Sequence, residues 1–207
     1  MKILIGTTNV GKLNEFTSFL SSLPLEIVSL KDLNIDSAFE ENGKTYKENS
    51  QGKAVHFAKL SGLPTIADDG GIEIAALNNR PGVLSRRWLG HEANDEEIIE
   101  HMKKVSRDLP DNNRKAFFRT VVSFALPNGK VWSSFGEIEG IIAIKPLLKV
   151  LKGYPYRSFF YLPEIKRYYH EADLTPEQEK KYNHRYIAVQ KLLPIIENVI
   201  LSDSEES

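Results

Sequence analysis

The opening of the chain leaves little choice of architecture. An apolar run, Lys2-Ile-Leu-Ile-Gly6, ends in glycine and gives way to the polar loop Thr7-Thr8-Asn9-Val10-Gly11. From Lys12 to about Ser22 the residues Leu13, Phe16, Phe19 and Leu20 recur at helical spacing, Pro24 closes that helix, and Leu25–Leu30 reads as a second strand. Strand, loop, helix, strand is the start of an α/β domain, because each one-sided element must bury its apolar face on another layer.

The remainder continues in kind. Lys44–Leu60 reads as a helix with Tyr46, Ala54, Phe57 and Ala58 on its buried side, stopped by Gly62. Leu63–Ala67 reads as a short strand that runs straight into Asp68-Asp69-Gly70-Gly71, followed by weak alternation over Ile72–Leu77 and turn residues at Asn78–Gly82. A third helix is expected from Asp95 to about Val105. The strongest β signal is the pair Ala116–Leu126 and Lys130–Gly140 around Asn128-Gly129, a preferred hairpin turn. Gly153–Phe160 reads as a loop, and one last helix is expected from Pro176 to about Val199. Residues 1–200 read as a single domain without repeats or linkers, and 201–207 as an acidic, disordered tail.

Charge and composition narrow the chemistry. A formal net charge of −1 gives no basic field for a nucleic-acid backbone, so phosphate recognition has to come from a local site. No apolar run approaches membrane-spanning length, and Met1–Gly6 has no cleavage region behind it as a signal peptide would. With no cysteine, a metal has to take oxygen or imidazole ligands. A cytoplasmic location fits these features.

Gly6-Thr7-Thr8-Asn9-Val10-Gly11-Lys12 matches glycine, four residues, glycine, lysine, the body of a P-loop. The next residue should carry a hydroxyl for magnesium and is Leu13 instead, which argues against a P-loop NTPase. The segment still suits an anion, since N–H groups at a helix start attract one and Lys12 adds a full charge. An ordinary strand-to-helix turn with a surface lysine is the alternative. Glu40-Glu41-Asn42-Gly43 and Asp68-Asp69-Gly70-Gly71 supply carboxylates, the second set behind an apolar strand and before two glycines. Acids there suit a hard magnesium ion that also touches phosphates, and one could orient or deprotonate a water. A glycine turn with solvated acids is the alternative.

In order along the chain, these segments resemble the house-cleaning inosine triphosphate pyrophosphatases. The pieces are Thr7–Lys12, Glu41–Asn49, Gly52-Lys53-Ala54, Gly62–Gly71, Arg80–Arg86 and Asn183-His184-Arg185, spanning Ile3 to about Leu193. The resemblance implies an elongated, two-lobed α/β fold with a central mixed sheet, a nucleotide cleft between the lobes and a homodimer. It implies magnesium, a nucleoside triphosphate substrate, and nucleoside monophosphate and pyrophosphate as products. By position, Thr7, Thr8, Asn9, Val10, Gly11, Lys12 and Lys53 would hold phosphates, with Gly70 nearby and Arg86 reaching them too. Glu41, Asp68 and Asp69 would bind metal, with Asp69 as general base and Lys12 also catalytic. Tyr154, Tyr156, Arg157, Lys180, His184 and Arg185 would meet the base, His184 and Arg185 as donors to a 6-oxo edge.

The departures are uneven. The family loop usually reads Gly-Phe-Gly-Tyr-Asp-Pro, whereas this chain has Gly153-Tyr154-Pro155-Tyr156-Arg157-Ser158, with the acid replaced by Arg157. Gly70 stands where a serine is usual, Asn183 where another is, and the family lysine falls on Glu179, with Lys180 one residue late. These changes motivate two alternatives: a pyrophosphatase with shifted base preference, or a nucleotide-binding sensor with weakened turnover. Trp88, Tyr168 and Tyr169 are aromatics that could serve either an interface or the core.

Overall fold

The computed structural model describes residues 1–170 and 173–205, without the side chains of 203–205. It is a mixed α/β structure built on one sheet. The strands are β1 (Lys2–Ile5), β2 (Glu26–Ser29), β3 (Thr65–Ile74), β4 (Arg80–Pro81), β5 (Lys115–Ala125), β6 (Val131–Ile142), β7 (Phe160–Leu162) and β8 (Arg167–Tyr168). The helices are α1 (Val10–Phe19), α2 (Tyr46–Ser61), α3 (Asp95–Asp108), α4 (Pro176–Lys181) and α5 (His184–Glu205). The sheet order is β2-β1-β3-β5-β6-β7-β8, with β4 on β3. β1 pairs in parallel with both β2 and β3, whereas β4–β3, β6–β7 and β7–β8 are antiparallel, so the sheet is mixed.

The described residues form two compact units. The first comprises Met1–Asp69, Thr120–Gly136 and the chain from Arg185 onward; the second comprises Gly70–Arg119 and Glu137–His184. In the first unit the sheet is covered on both faces. Ile3, Ile5, Ile66, Val122 and Phe124 pack with Phe16 and Phe19 of α1 and with Ala188, Val189 and Leu192 of α5. On the opposite face Leu4 and Val28 pack with Phe57, and Ala67 and Ala125 with Ala54 and Ala58 of α2. Ile66 and Ala67 thus face opposite helices, as the two-residue period of a strand requires.

Local chemistry sets the ends of these elements. Asn9 caps α1 and Thr45 caps α2, each accepting from the N–H three residues on, and Gly62 closes α2 in the left-handed region at φ +70°. Asn94 and Glu97 form a reciprocal capping box at α3.

Three expectations change. The strand at Leu63–Ala67 does not stop before the acids: β3 is continuous from Thr65 to Ile74, so Asp68-Asp69-Gly70-Gly71 is strand, not a glycine turn. The reason is tertiary, since neighbours in a sheet outweigh glycine's weak strand preference. The last helix is two helices, α4 ending at its cap Tyr182 and α5 starting at His184. Asn183, fully buried, sits at the break, so His184 begins a helix instead of lying within one. Finally, α5 continues past Val199 to Glu205, with Ser202 Oγ donating to the Val199 carbonyl at 2.9 Å, so 201–205 of the expected disordered tail are helical. Residues 206–207 of that tail lie outside the described residues.

Candidate active site

The first unit gathers one set of expected site residues. The loop Thr7–Asn9 leaves the C-terminal end of β1 and turns into α1: the Asn9 N–H donates to Thr7 Oγ1, and the Lys12 N–H to Asn9 Oδ1, both at 3.2 Å. Val10, at 69% exposure, and Thr8 sit on the surface, with Gly11 half-buried behind them. Lys12 turns inward, its Nζ 3.0 Å from Asp68 Oδ1.

Because Asp68 and Asp69 are successive strand residues, their side chains leave opposite faces of β3. Asp68 points to the face of α1 and α5, and is 1% exposed. Besides Lys12, its carboxylate accepts from Arg185 Nε at 2.7 Å, and Thr120 Oγ1 lies 3.4 Å away. Burial alone would raise its pKa, but the charges of Lys12, Arg185 and Lys53 outweigh burial and hold it well below the usual carboxylate range. Asp69 points to the face of α2, where Asn49 Nδ2 donates to its Oδ2 at 2.8 Å. Burial and the nearby charge of Glu41 push its pKa up to about 6, against the opposing pull of Lys12, Asn49 and Lys53. Neighbours in sequence are therefore set to opposite tasks, one a fixed anion and the other a carboxylate poised near neutrality.

Lys53, on α2, pairs closely with Glu41 and donates to the Asp68 carbonyl at 3.1 Å. Burial pulls its pKa down, but Glu41 and Asp68 more than restore it and leave it raised. Lys12 goes the other way: burial, Arg185 and Lys53 together lower it despite Asp68. Arg185 donates Nε to Asp68 Oδ2 at 2.7 Å and Nη1 to Glu15 Oε2 at 2.9 Å. Among the described residues no three acid or imidazole groups converge into a metal cage. The acids that suit a metal are Glu41 and Asp69, whose mutual repulsion a divalent cation would relieve, whereas Asp68 already has a cation on each oxygen.

The second unit holds the other expected residues. Gly70 is half-buried in β3 and Lys180 is exposed on α4. Arg86 lies in the last turn of the 3-10 stretch Gly82–Arg87 and donates Nη1 to Asp95 Oδ1 at 2.6 Å. Asp95 Oδ2 in turn accepts from the Gly153 N–H at 2.6 Å, and Tyr156 Oη donates to the Ser85 carbonyl at 2.5 Å. Burial raises the Tyr156 pKa further above its ordinary value, so it stays a neutral donor. The Arg86 segment and the Gly153–Tyr156 segment are thus laced together twice. Close by in sequence, the Arg157 guanidinium lies 3.8 Å from the Tyr154 ring centre and 4.4 Å from that of Tyr169, with Glu179 Oε1 3.8 Å from Nη1. His184 is packed between Phe118, with ring centres 5.2 Å apart and stacked, and Tyr169, whose Oη is 3.3 Å from Nδ1. Tyr169 is fully buried and so is core, while Trp88 is half-buried against His101.

Sequence reasoning missed Asn49, Glu15, Thr120 and Asp95. Asn49 lay within a segment already marked, yet its reach to Asp69 depends on how α2 docks on β3. Asp95 reads as a helix-start acid and is one, but it also bridges Arg86 and Gly153. No one-dimensional signal marks Glu15 or Thr120.

Known proteins are similar to this chain in sequence and in fold. The dITP/XTP pyrophosphatase of Shigella flexneri is 36% identical over 201 residues, covering 95% of this chain and 98% of its own. That of Desulforamulus reducens is 32% identical, covering 97% and 98%. Among solved structures, a HAM1 protein from Coxiella burnetii superposes with a TM-score of 0.79 at 32% identity, covering 96% and 99%. The Staphylococcus aureus Ham1 protein does so at 0.77 and 30%, covering 96% and 99%. The sequence pattern of the Ham1 family matches residues 3–195, which takes in every site residue set out above. A match of that extent, with the strand-borne acids and the lysine loop inside it, makes this chain a member of the Ham1 family.

Proposed function

We propose that this protein hydrolyses deaminated purine nucleoside triphosphates, such as dITP, ITP and XTP, to the nucleoside monophosphate and pyrophosphate. The observation that carries this reading is the pair of successive acids on β3, Asp68 bridged to Lys12 and Arg185 on one face and Asp69 held by Asn49 near Glu41 on the other. The relatives bearing the name dITP/XTP pyrophosphatase at 32–36% identity support the substrate class and do not favour a silent sensor or a shifted base preference.

In this reading Thr7–Lys12 and Lys53 hold the phosphates at the start of α1, where N–H groups and two ammonium charges favour an anion. Glu41 and Asp69 would hold magnesium, which neutralises phosphate charge and commonly keeps several waters. Asp69 takes the proton of the attacking water, the part a carboxylate within hydrogen-bond reach of it can play. Water adds across the α–β phosphoanhydride: its oxygen bonds to phosphorus, the bridging P–O bond breaks, and pyrophosphate leaves. Asp68 holds Lys12 and Arg185 in place. Arg86, Tyr154, Tyr156, Arg157, Lys180 and His184 belong to recognition of the rest of the nucleotide. A cytoplasmic homodimer completes the proposal; Leu148, 98% exposed, and Ile144 offer apolar surface for a partner, and light scattering measures the assembly.

The test is product analysis with ITP, XTP, dITP, GTP, ATP and dTTP, with and without magnesium, beside Asp69→Asn. Monophosphate and pyrophosphate from the deaminated purines, lost in the variant and on chelation, are expected. Diphosphate and phosphate as products would overturn the reading.

A further inference from the structure

In the first unit one side chain ties together two segments that each carry an acid. Asn49, on the first turn of α2, is 1% exposed. Its Nδ2 donates to Asp69 Oδ2 at 2.8 Å, and its Oδ1 accepts from the Gly43 N–H at 2.7 Å. An amide has one donating and one accepting end, a backbone N–H can only donate, and an ionised carboxylate can only accept. The two partners therefore dictate which end faces which, and the amide fits one way round.

The surroundings leave this side chain little room to move. A Cβ added at Gly43 would lie 2.5 Å from Asn49 Oδ1 and 2.8 Å from Glu48 Cβ, so glycine is what lets the backbone approach. Beyond it the Lys44 N–H donates to Glu48 Oε2 at 2.6 Å, and Thr45 caps the helix. Three successive residues are thus fastened to the start of α2, and Glu41 lies two residues ahead of the first. The helix is itself seated on the sheet by Ala54, Phe57 and Ala58. Glu41 and Asp69 repel each other, so their nearness has to be held by other contacts. We propose that Asn49 is a positioning residue: gripping Asp69 with one end and the Gly43 backbone with the other, it sets Glu41 and Asp69 at the spacing from which they hold a divalent cation. This rests on the metal role proposed above for those two acids. Groups behind metal ligands fix ligand orientation, and losing one typically costs ~10–100-fold in metal affinity or activity.

The experiment titrates Mn2+ into wild type, Asn49→Ala, Gly43→Ala and the double variant, reading free Mn2+ by electron paramagnetic resonance. Thermal unfolding, and kcat and KM for dITP at saturating magnesium, are measured on each. Asn49→Ala should weaken Mn2+ binding to the folded protein by ~10–100-fold and lower kcat by a similar factor. Its KM should stay within ~3-fold of wild type. Gly43→Ala pushes the backbone away from an intact Asn49 and should weaken Mn2+ in the same sense. Because both break one tie, the double variant should stay within ~3-fold of the worse single one, whereas independent losses would multiply. A merely structural asparagine would lower the unfolding temperature and leave the Mn2+ affinity of the folded protein where it was. Unchanged affinity in Asn49→Ala, or losses that multiply in the double variant, overturns the positioning role and leaves the pyrophosphatase reading standing. Wild-type protein that binds no Mn2+ overturns it together with the metal role of Glu41 and Asp69. Wild-type protein that cleaves no deaminated purine triphosphate overturns the pyrophosphatase reading instead.

Discussion

Both units bury charge, but they neutralise it differently. In the first, Asp68 is surrounded by point charges, Lys12 and Arg185, with Glu15 behind the arginine. In the second, Arg157 is sandwiched by the rings of Tyr154 and Tyr169 and balanced by Glu179. Ammonium and carboxylate groups on rigid elements suit a polyanion and a hard cation. Aromatic faces around a planar cation suit a flat, weakly charged ring. The contrast divides the proposed labour: phosphate chemistry with the first set of side chains, base selection with the second.

The sharpest way to break that division is Asp69→Asn. Turnover should fall ~10²–10⁴-fold, the range of a lost general base. Thermal stability should hold or rise, because a buried carboxylate repelled by Glu41 is a burden to the fold. A variant that keeps turnover would remove Asp69 from the chemistry. Arg185→Met tests the other side of β3. It leaves Asp68 and Glu15 without their shared guanidinium, and urea unfolding should show a loss of ~3–5 kcal/mol. A loss below 1 kcal/mol would mean that Lys12 alone suffices.

In the second unit, Asp95→Ala removes the bridge between Arg86 and the Gly153 N–H. Two hydrogen bonds at ~1 kcal/mol each predict a rise of ~10-fold or more in KM, with kcat little changed. An equal fall in kcat would move Arg86 into the chemical step. The smallest effect is expected of Thr45→Ala, which removes the α2 cap: ~1 kcal/mol of stability, read by urea unfolding. A larger loss accompanied by lost activity would mean that α2 positions Lys53 and Asn49 less rigidly than its packing implies.

Much of the framework was legible along the chain. The opening strand, loop and helix, the hairpin around Asn128-Gly129 and the starts of α3 and α4 follow from patterning, caps and turn residues, which act over a few neighbours. The segments carrying Lys12, Glu41 and Asp69 could be marked from their own residues, and Lys53 through the family resemblance alone. Legibility ended where a long-range contact decides. The glycines after Asp69 suggest a loop, yet β3 continues through them. A Cβ at Gly71 would collide with Ser85 and the Gly82 carbonyl, so the glycine serves close packing within a strand.

The sequence by itself determined that this is an α/β chain with acids and lysines set into its strand and helix starts, because hydrophobic period and capping are local properties. Only the tertiary structure decided that Asp68 and Asp69 face opposite helices and have their pKa values shifted in opposite directions. It alone showed that Arg185 serves Asp68 and that Arg157 meets Glu179. Those outcomes depend on burial and on charges brought together from distant parts of the chain, and the strength of a charge is set by the groups packed around it.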